Sequence, residues 1–186
     1  KAYRAIGKPD QAKDTLNDML NFLPPSDRTP EAYVELSQVL GELGENQEAL
    51  RLAERAAVDF PEHPGVLKNK GLLLGMAGHP FAAATALMAA EEAGAHESSL
   101  LLTAARHFTT AGQQDMAREA YERLQTYYPG TPDAYAGQLE DAGLLFEAGQ
   151  PARAVEKLEA LALNTTGSPY HAEVLLALAD TYNQLG

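Results

Sequence analysis

The chain has 186 residues, 45% of them hydrophobic and 22% charged, a balance outside the range of disordered sequences. Fourteen Lys and Arg against twenty-six Asp and Glu give a net charge of −12, a field that repels phosphate-rich partners and argues against nucleic acid or an anionic membrane surface as the target. No cysteine is present, which excludes disulfides, thiolate metal sites and cysteine nucleophiles, and no run reaches the ~18 apolar residues of a membrane-spanning helix.

The chain is ruled by six glycines, Gly7, Gly44, Gly78, Gly112, Gly149 and Gly186, spaced 37, 34, 34, 37 and 37 residues apart. A fixed period of this size marks an array of stacked repeats. Five residues after each of the first five stands an alanine: Ala12, Ala49, Ala83, Ala117 and Ala154.

In chain order, Ala2 to Ile6, with Tyr3 as anchor, read as the end of a helix, and the segment from Gly7 to Pro24 reads as a second helix (1–29, a partial repeat). The unit 30–63 is the clearest. Tyr33, Leu36, Val39, Leu40 and Leu43 recur at helical steps, and Gly44 follows, where a left-handed residue ends a helix without a Cβ penalty. A second apolar stripe then runs through Ala49, Leu50, Leu52, Ala53, Ala56 and Ala57, and Pro61 stops it. The unit is helix, tight turn, helix, loop. The same pattern predicts repeats over 64–97, 98–131 and 132–168, the last with a longer first helix, and a partial repeat over 169–186 that holds a first helix only. The three-residue excesses fall at breaker-rich loops, Pro24 to Pro30, Pro129 to Asp133 and Asn164 to Pro169.

Small residues seven before each glycine (Ser37, Gly71, Ala105, Ala142, Ala179) predict close approach of the paired helices at the alanine. Bulky residues four before it (Tyr3, Leu40, Leu74, Phe108, Leu145, Tyr182) predict filling between units.

With proline seventeen residues after the glycine (Pro24, Pro61, Pro129), this pattern resembles the tetratricopeptide repeat, TPR, over essentially the whole chain. Ala95 and Thr166 in place of the loop proline, and Asp141 at a usually apolar position, depart from it. The resemblance implies an all-α TPR-type solenoid, a right-handed superhelix of antiparallel helix pairs. The cut repeats at both ends set the expectation of an internal fragment of a longer bacterial array.

The resemblance also implies a non-enzymatic scaffold without cofactor or metal, binding a protein or peptide on the concave face lined by first helices. Residues expected there are Val34, Gln38, Lys68, Leu72, Met76, Leu102, Arg106, Leu139, Phe146, Asp180 and Asn183. Co-chaperones of the family hold a C-terminal carboxylate with Lys, Asn and Arg on consecutive first helices. Here Lys68 and Asn69 are followed by Leu72, Ser99 and Thr103, so that clamp is not assembled. The five histidines, His63, His79, His96, His107 and His171, contain no metal-binding spacing and read as surface residues. Adjacent acids such as Glu91 and Glu92 do not face each other on a helix and read as solvated charge.

Two alternatives stand beside the peptide scaffold. One is an exopolysaccharide-export scaffold that contacts a polysaccharide or its modifying enzyme, with Tyr127, Tyr128, Tyr135 and Tyr170 as aromatic platforms. The other is the regulatory segment of a larger enzyme. A bacterial assembly or secretion-related complex is the expected setting, and a cysteine-free chain suits the periplasm or outer-membrane periphery over the cytoplasm.

Overall fold

The computed structural model describes residues 8–185, so the readings that rest on Tyr3, Gly7 and Gly186 lie outside the described residues. Among the described residues there are ten α-helices and no strand: α1 (Pro9–Phe22), α2 (Pro30–Glu42), α3 (Asn46–Asp59), α4 (Pro64–Met76), α5 (Pro80–Glu92), α6 (Ser98–Thr110), α7 (Gln114–Tyr127), α8 (Pro132–Glu147), α9 (Pro151–Asn164) and α10 (His171–Leu185). They fall into two units, residues 1–100 and 101–186, with α6 beginning at the boundary.

The glycine ladder is a ladder of helix ends. Gly44, Gly78, Gly112 and Gly149 take φ of 79°, 79°, 72° and 72°, where a side chain would strain the backbone. Around each, two backbone bonds close the same way. At the first, Glu45 N–H donates to the Leu40 carbonyl at 2.8 Å and Gly44 N–H to the Gly41 carbonyl at 3.0 Å. His79 to Leu74, Gln113 to Phe108 and Gln150 to Leu145 repeat the longer bond at 2.8–3.0 Å. This is the Schellman closure, which satisfies carbonyls that a helix end otherwise leaves open. The bulky residue four before each glycine therefore does double duty, giving its carbonyl to the turn and its side chain to the core. Leu40, Leu74, Phe108 and Leu145 are all buried, whereas Tyr182 is half exposed.

At the other end, proline opens six of the helices at the first turn, where its missing N–H is no loss. His63 adds a side-chain cap to α4, its Nδ1 accepting from Val66 N–H at 3.3 Å, and Thr131 caps α8 by accepting from Ala134 N–H at 3.2 Å.

In the first unit the core gathers Tyr33, Leu36, Leu40, Ala49, Ala53, Ala56 and Val66, with Leu20 of α1 against it. Ala49 and Ala83 are fully buried, as the small-residue seam requires. The seam is tightest at Gly71 of α4: a Cβ built there would stand 2.7 Å from Leu87 Cγ and 3.2 Å from the Ala83 carbonyl oxygen of α5. Ser37, at the same step in α2, is buried and accepts from Asn69 Nδ2 at 2.6 Å, while its own hydroxyl donates to the Val34 carbonyl. A buried hydroxyl is tolerated because every donor it presents is matched.

In the second unit α8 packs on α7 and α9, and Leu161, Ala162 and Val174 join α9 to α10 with Tyr135 and Leu139 alongside. α8 has 16 residues where α2, α4, α5 and α6 have 13. Asp141, the acid at a usually apolar step, is 1% exposed, and Lys157 Nζ and Arg118 Nε lie against its two carboxylate oxygens.

Candidate functional site

The side chains expected to receive a partner sit on first helices, so their placement follows from the packing just described. In the first unit, Val34 of α2 is half-buried against the core while Gln38, one turn on, is exposed. On α4, Leu72 is 42% exposed and Met76 72% exposed, an apolar pair on one helix face four residues apart. Lys68, one turn before Leu72, is not available as an open cation. Its Nζ donates to both carboxylate oxygens of Glu97, at 2.7 and 2.6 Å. Asn69 is buried on Ser37, which leaves neither member of a carboxylate clamp facing outward from this helix.

The second unit behaves differently. Leu102 is 6% exposed and belongs to the core, so it offers no side chain to a partner. Leu139 packs against Leu161, Ala162 and Val174, and Phe146 is half-buried. Asp180 and Asn183 of α10 are exposed. Arg106 of α6 is exposed but bound in a fork, its Nε and Nη2 donating to Glu140 of α8 at 3.0 and 2.7 Å. Tyr121 of α7 donates its hydroxyl to the same carboxylate at 2.8 Å. Burial of the phenol, then its bond to Glu140, hold the Tyr121 hydroxyl well above the ordinary tyrosine range. Beside this cluster lies a cavity of about 360 Å³ lined by Arg106, Thr109, Tyr121, Glu140, Leu144 and Glu147.

Sequence reading found the positions but not these pairings. Arg106 and Glu140 are 34 residues apart, Lys68 and Glu97 are 29 apart, and Lys13 and Glu45, joined at 2.6 Å, are 32 apart. None is a pair within one helix. The available signal was the repeat period itself, because stacking brings a cation and an acid about one period apart next to each other.

Tyr135 and Tyr170 stack on each other, with ring centroids 4.7 Å apart and planes at 28°, while Tyr127 is exposed. Among the described residues no group of three or more His, Cys, Asp or Glu could hold a metal ion, and no helix is long and apolar enough to cross a membrane.

Residues 98–131 match the family model described as Tetratricopeptide repeat. None of the curated proteins matches the chain. Among solved structures, the chain is similar to MamA (TM-score 0.72, 18% identity, 89% of this chain and 87% of that one). It is also similar to a tetratricopeptide repeat protein from Parabacteroides merdae (TM-score 0.73, 16% identity, 100% and 70%). A third is YrrB, described as a TPR protein with an unusual peptide-binding site (TM-score 0.61, 16% identity, 82% and 76%). At these identities the likeness is one of fold. With its glycine-closed helix pairs, its tetratricopeptide-repeat match at 98–131 and these neighbours, the chain has the all-α, TPR-type solenoid fold.

Proposed function

We propose that this protein is a non-enzymatic interaction scaffold that takes a peptide or a segment of a partner protein on its first-helix side, the side expected to be concave. The observation that carries this reading is the exposure of Leu72 and Met76, two large apolar side chains one turn apart on a first helix. The other large apolar side chains of the first helices α2 and α4 are buried or half-buried, and apolar anchors at this spacing are what an extended or helical segment laid across helices needs. The fold neighbour described as having an unusual peptide-binding site supports this class of ligand, and the proposed setting is a bacterial assembly or secretion-related complex. Arg106 and Lys68 contribute as members of ion pairs that set the shape of the face, not as open charges.

The test is site-specific photo-crosslinking in the source cells, with the reactive residue at Leu72, at Met76 and, as a control, at Glu54 on the second helix α3. A discrete adduct from the first two positions and none from Glu54 is the expected result. Equal labelling from all three would sink the reading.

A further inference from the structure

The two units carry the same kind of groove with different chemistry. In the first unit a cavity of about 600 Å³ opens between the second helices α1 and α3, floored by Leu36 and Leu40 of α2. In the second, a cavity of about 310 Å³ opens between α7 and α9, floored by Asp141 and Leu145 of α8. Counted from the ladder glycines, these residues correspond one to one: Lys13 with Arg118, Leu36 with Asp141, Leu40 with Leu145, and Leu52 with Lys157.

The first groove already has a carboxylate in it. Glu45, the residue after the ladder glycine Gly44, grips Lys13 with both oxygens at 2.6 and 2.7 Å. The residue after the ladder glycine in the second groove is Gln150, which is neutral and accepts from Arg153 Nη1 at 2.5 Å. So Arg118 stands where Lys13 stands, but the residue after the ladder glycine of its groove brings it no carboxylate.

Charge is concentrated there as well. Residues 101–186 hold five Lys and Arg against eleven Asp and Glu, and three of the five (Arg118, Arg153, Lys157) line this one cavity. The acids around it are Asp141, Glu122 and Glu156. Asp141 is spent inward: its side chain is 2% exposed, with Lys157 against Oδ2 and Arg118 Nε 3.5 Å from Oδ1. That last approach is too long and misaligned for a hydrogen bond, and both atoms are buried without a partner within the protein. Asp141 thus positions two cations whose outer faces, 25% and 29% exposed, look into the groove.

We infer that the groove between α7 and α9 is a second binding site, for a carboxylate presented by an acidic peptide segment, with Arg118 and Lys157 as its ligands, Arg153 at its rim and Asp141 as the positioning residue. The peptide's carboxylate takes the place that Glu45 fills in the first unit. Planar guanidinium and carboxylate groups match in a bidentate fork, which gives Arg118 the advantage over a lysine at this step. The site lies on second helices and does not rest on the first-helix reading.

The experiment uses a fluorescein-labelled hexapeptide of alternating Ser and Glu, and its twin of alternating Ser and Gln, in anisotropy titrations of the full chain. The Glu peptide binds, the Gln twin does not, and added salt weakens the complex. Gln150→Glu restores the internal carboxylate and lowers affinity at least about tenfold, the loss of one charge-assisted contact. Its circular dichroism stays unchanged, because residue 150 is on the turn. Glu45→Gln does the reverse, freeing Lys13 and adding a second, weaker site. Equal binding of both peptides, full affinity in Gln150→Glu, or tighter binding of inorganic phosphate than of the Glu peptide would each overturn the assignment.

Discussion

Lys157 Nζ donates to Asp141 Oδ2 from α9 to α8, and both residues occupy steps that mostly hold smaller or apolar side chains in the other repeats. At the Asp141 step the others carry Leu36, Lys70, Ala104 and Leu178, and at the Lys157 step Thr15, Leu52, Ala86 and Ala120. A charge at the wrong step in a repeat protein is affordable only when its neighbours change with it, and here two of them have.

The energetic consequence is strong non-additivity. Arg118→Met with Lys157→Met leaves a buried carboxylate unpaired and destabilises the fold by about 3–5 kcal/mol. Adding Asp141→Leu to that pair brings the midpoint in urea back to that of the parent or above it, since apolar replacement of a whole buried ionic cluster is commonly neutral or stabilising. Urea unfolding of the double and triple variants measures this, and a triple variant as unstable as the double one would refute it.

The helix seam gives a second expectation. Gly71→Ala places a methyl 2.7 Å from Leu87 Cγ, which must move, and Gly71→Leu cannot be accommodated without separating α4 from α5. Overpacking of this kind costs about 1–3 kcal/mol for the alanine and more for the leucine. Gly143→Ala, at an exposed position of α8 with open space around the new methyl, should instead hold or raise the melting temperature, because alanine is the better helix former. Thermal melts of the three variants rank them.

Tyr121 supplies a pH signature. Its folded-state pKa lies above the ordinary value, chiefly from burial and then from the bond to Glu140. The folded state therefore keeps a proton that the unfolded chain gives up near pH ~10. Stability from this group is fully present below that pH and declines as pH rises through the raised folded value. Ultraviolet titration should show one tyrosine resisting ionisation until the protein unfolds, and Glu140→Gln should bring that titration to lower pH.

How much of this could be read from the chain is clear from individual residues. Gly44 and Gly71 announced themselves because backbone conformation and close helix contact leave few substitutes, so a local rule reaches the right answer. Leu102 did not, since a leucine on the first-helix side is exposed or buried according to what the next helix brings to it. Leu72, thirty residues earlier on the corresponding side of α4, went the other way. The pairing of Lys68 and Arg106 was not legible, because their acids lie 29 and 34 residues off, on no shared helix. Asp141 was visible as a departure from the family pattern, but its cations come from two different helices, α7 and α9. Their assembly is a tertiary fact.

The turn at each ladder glycine is closed entirely by main-chain atoms, Glu45 N–H to the Leu40 carbonyl and its counterparts. The side chain of the residue that follows the glycine therefore takes no part in closing it. Glu45, His79, Gln113 and Gln150 occupy that position in succession, an acid, an imidazole and two amides. Folding leaves this residue type unconstrained, and the first of them, Glu45, lines the cavity between α1 and α3. The array has a built-in variable letter, one per rung, at which the chemistry of a cleft can be rewritten while the scaffold that holds it stays the same.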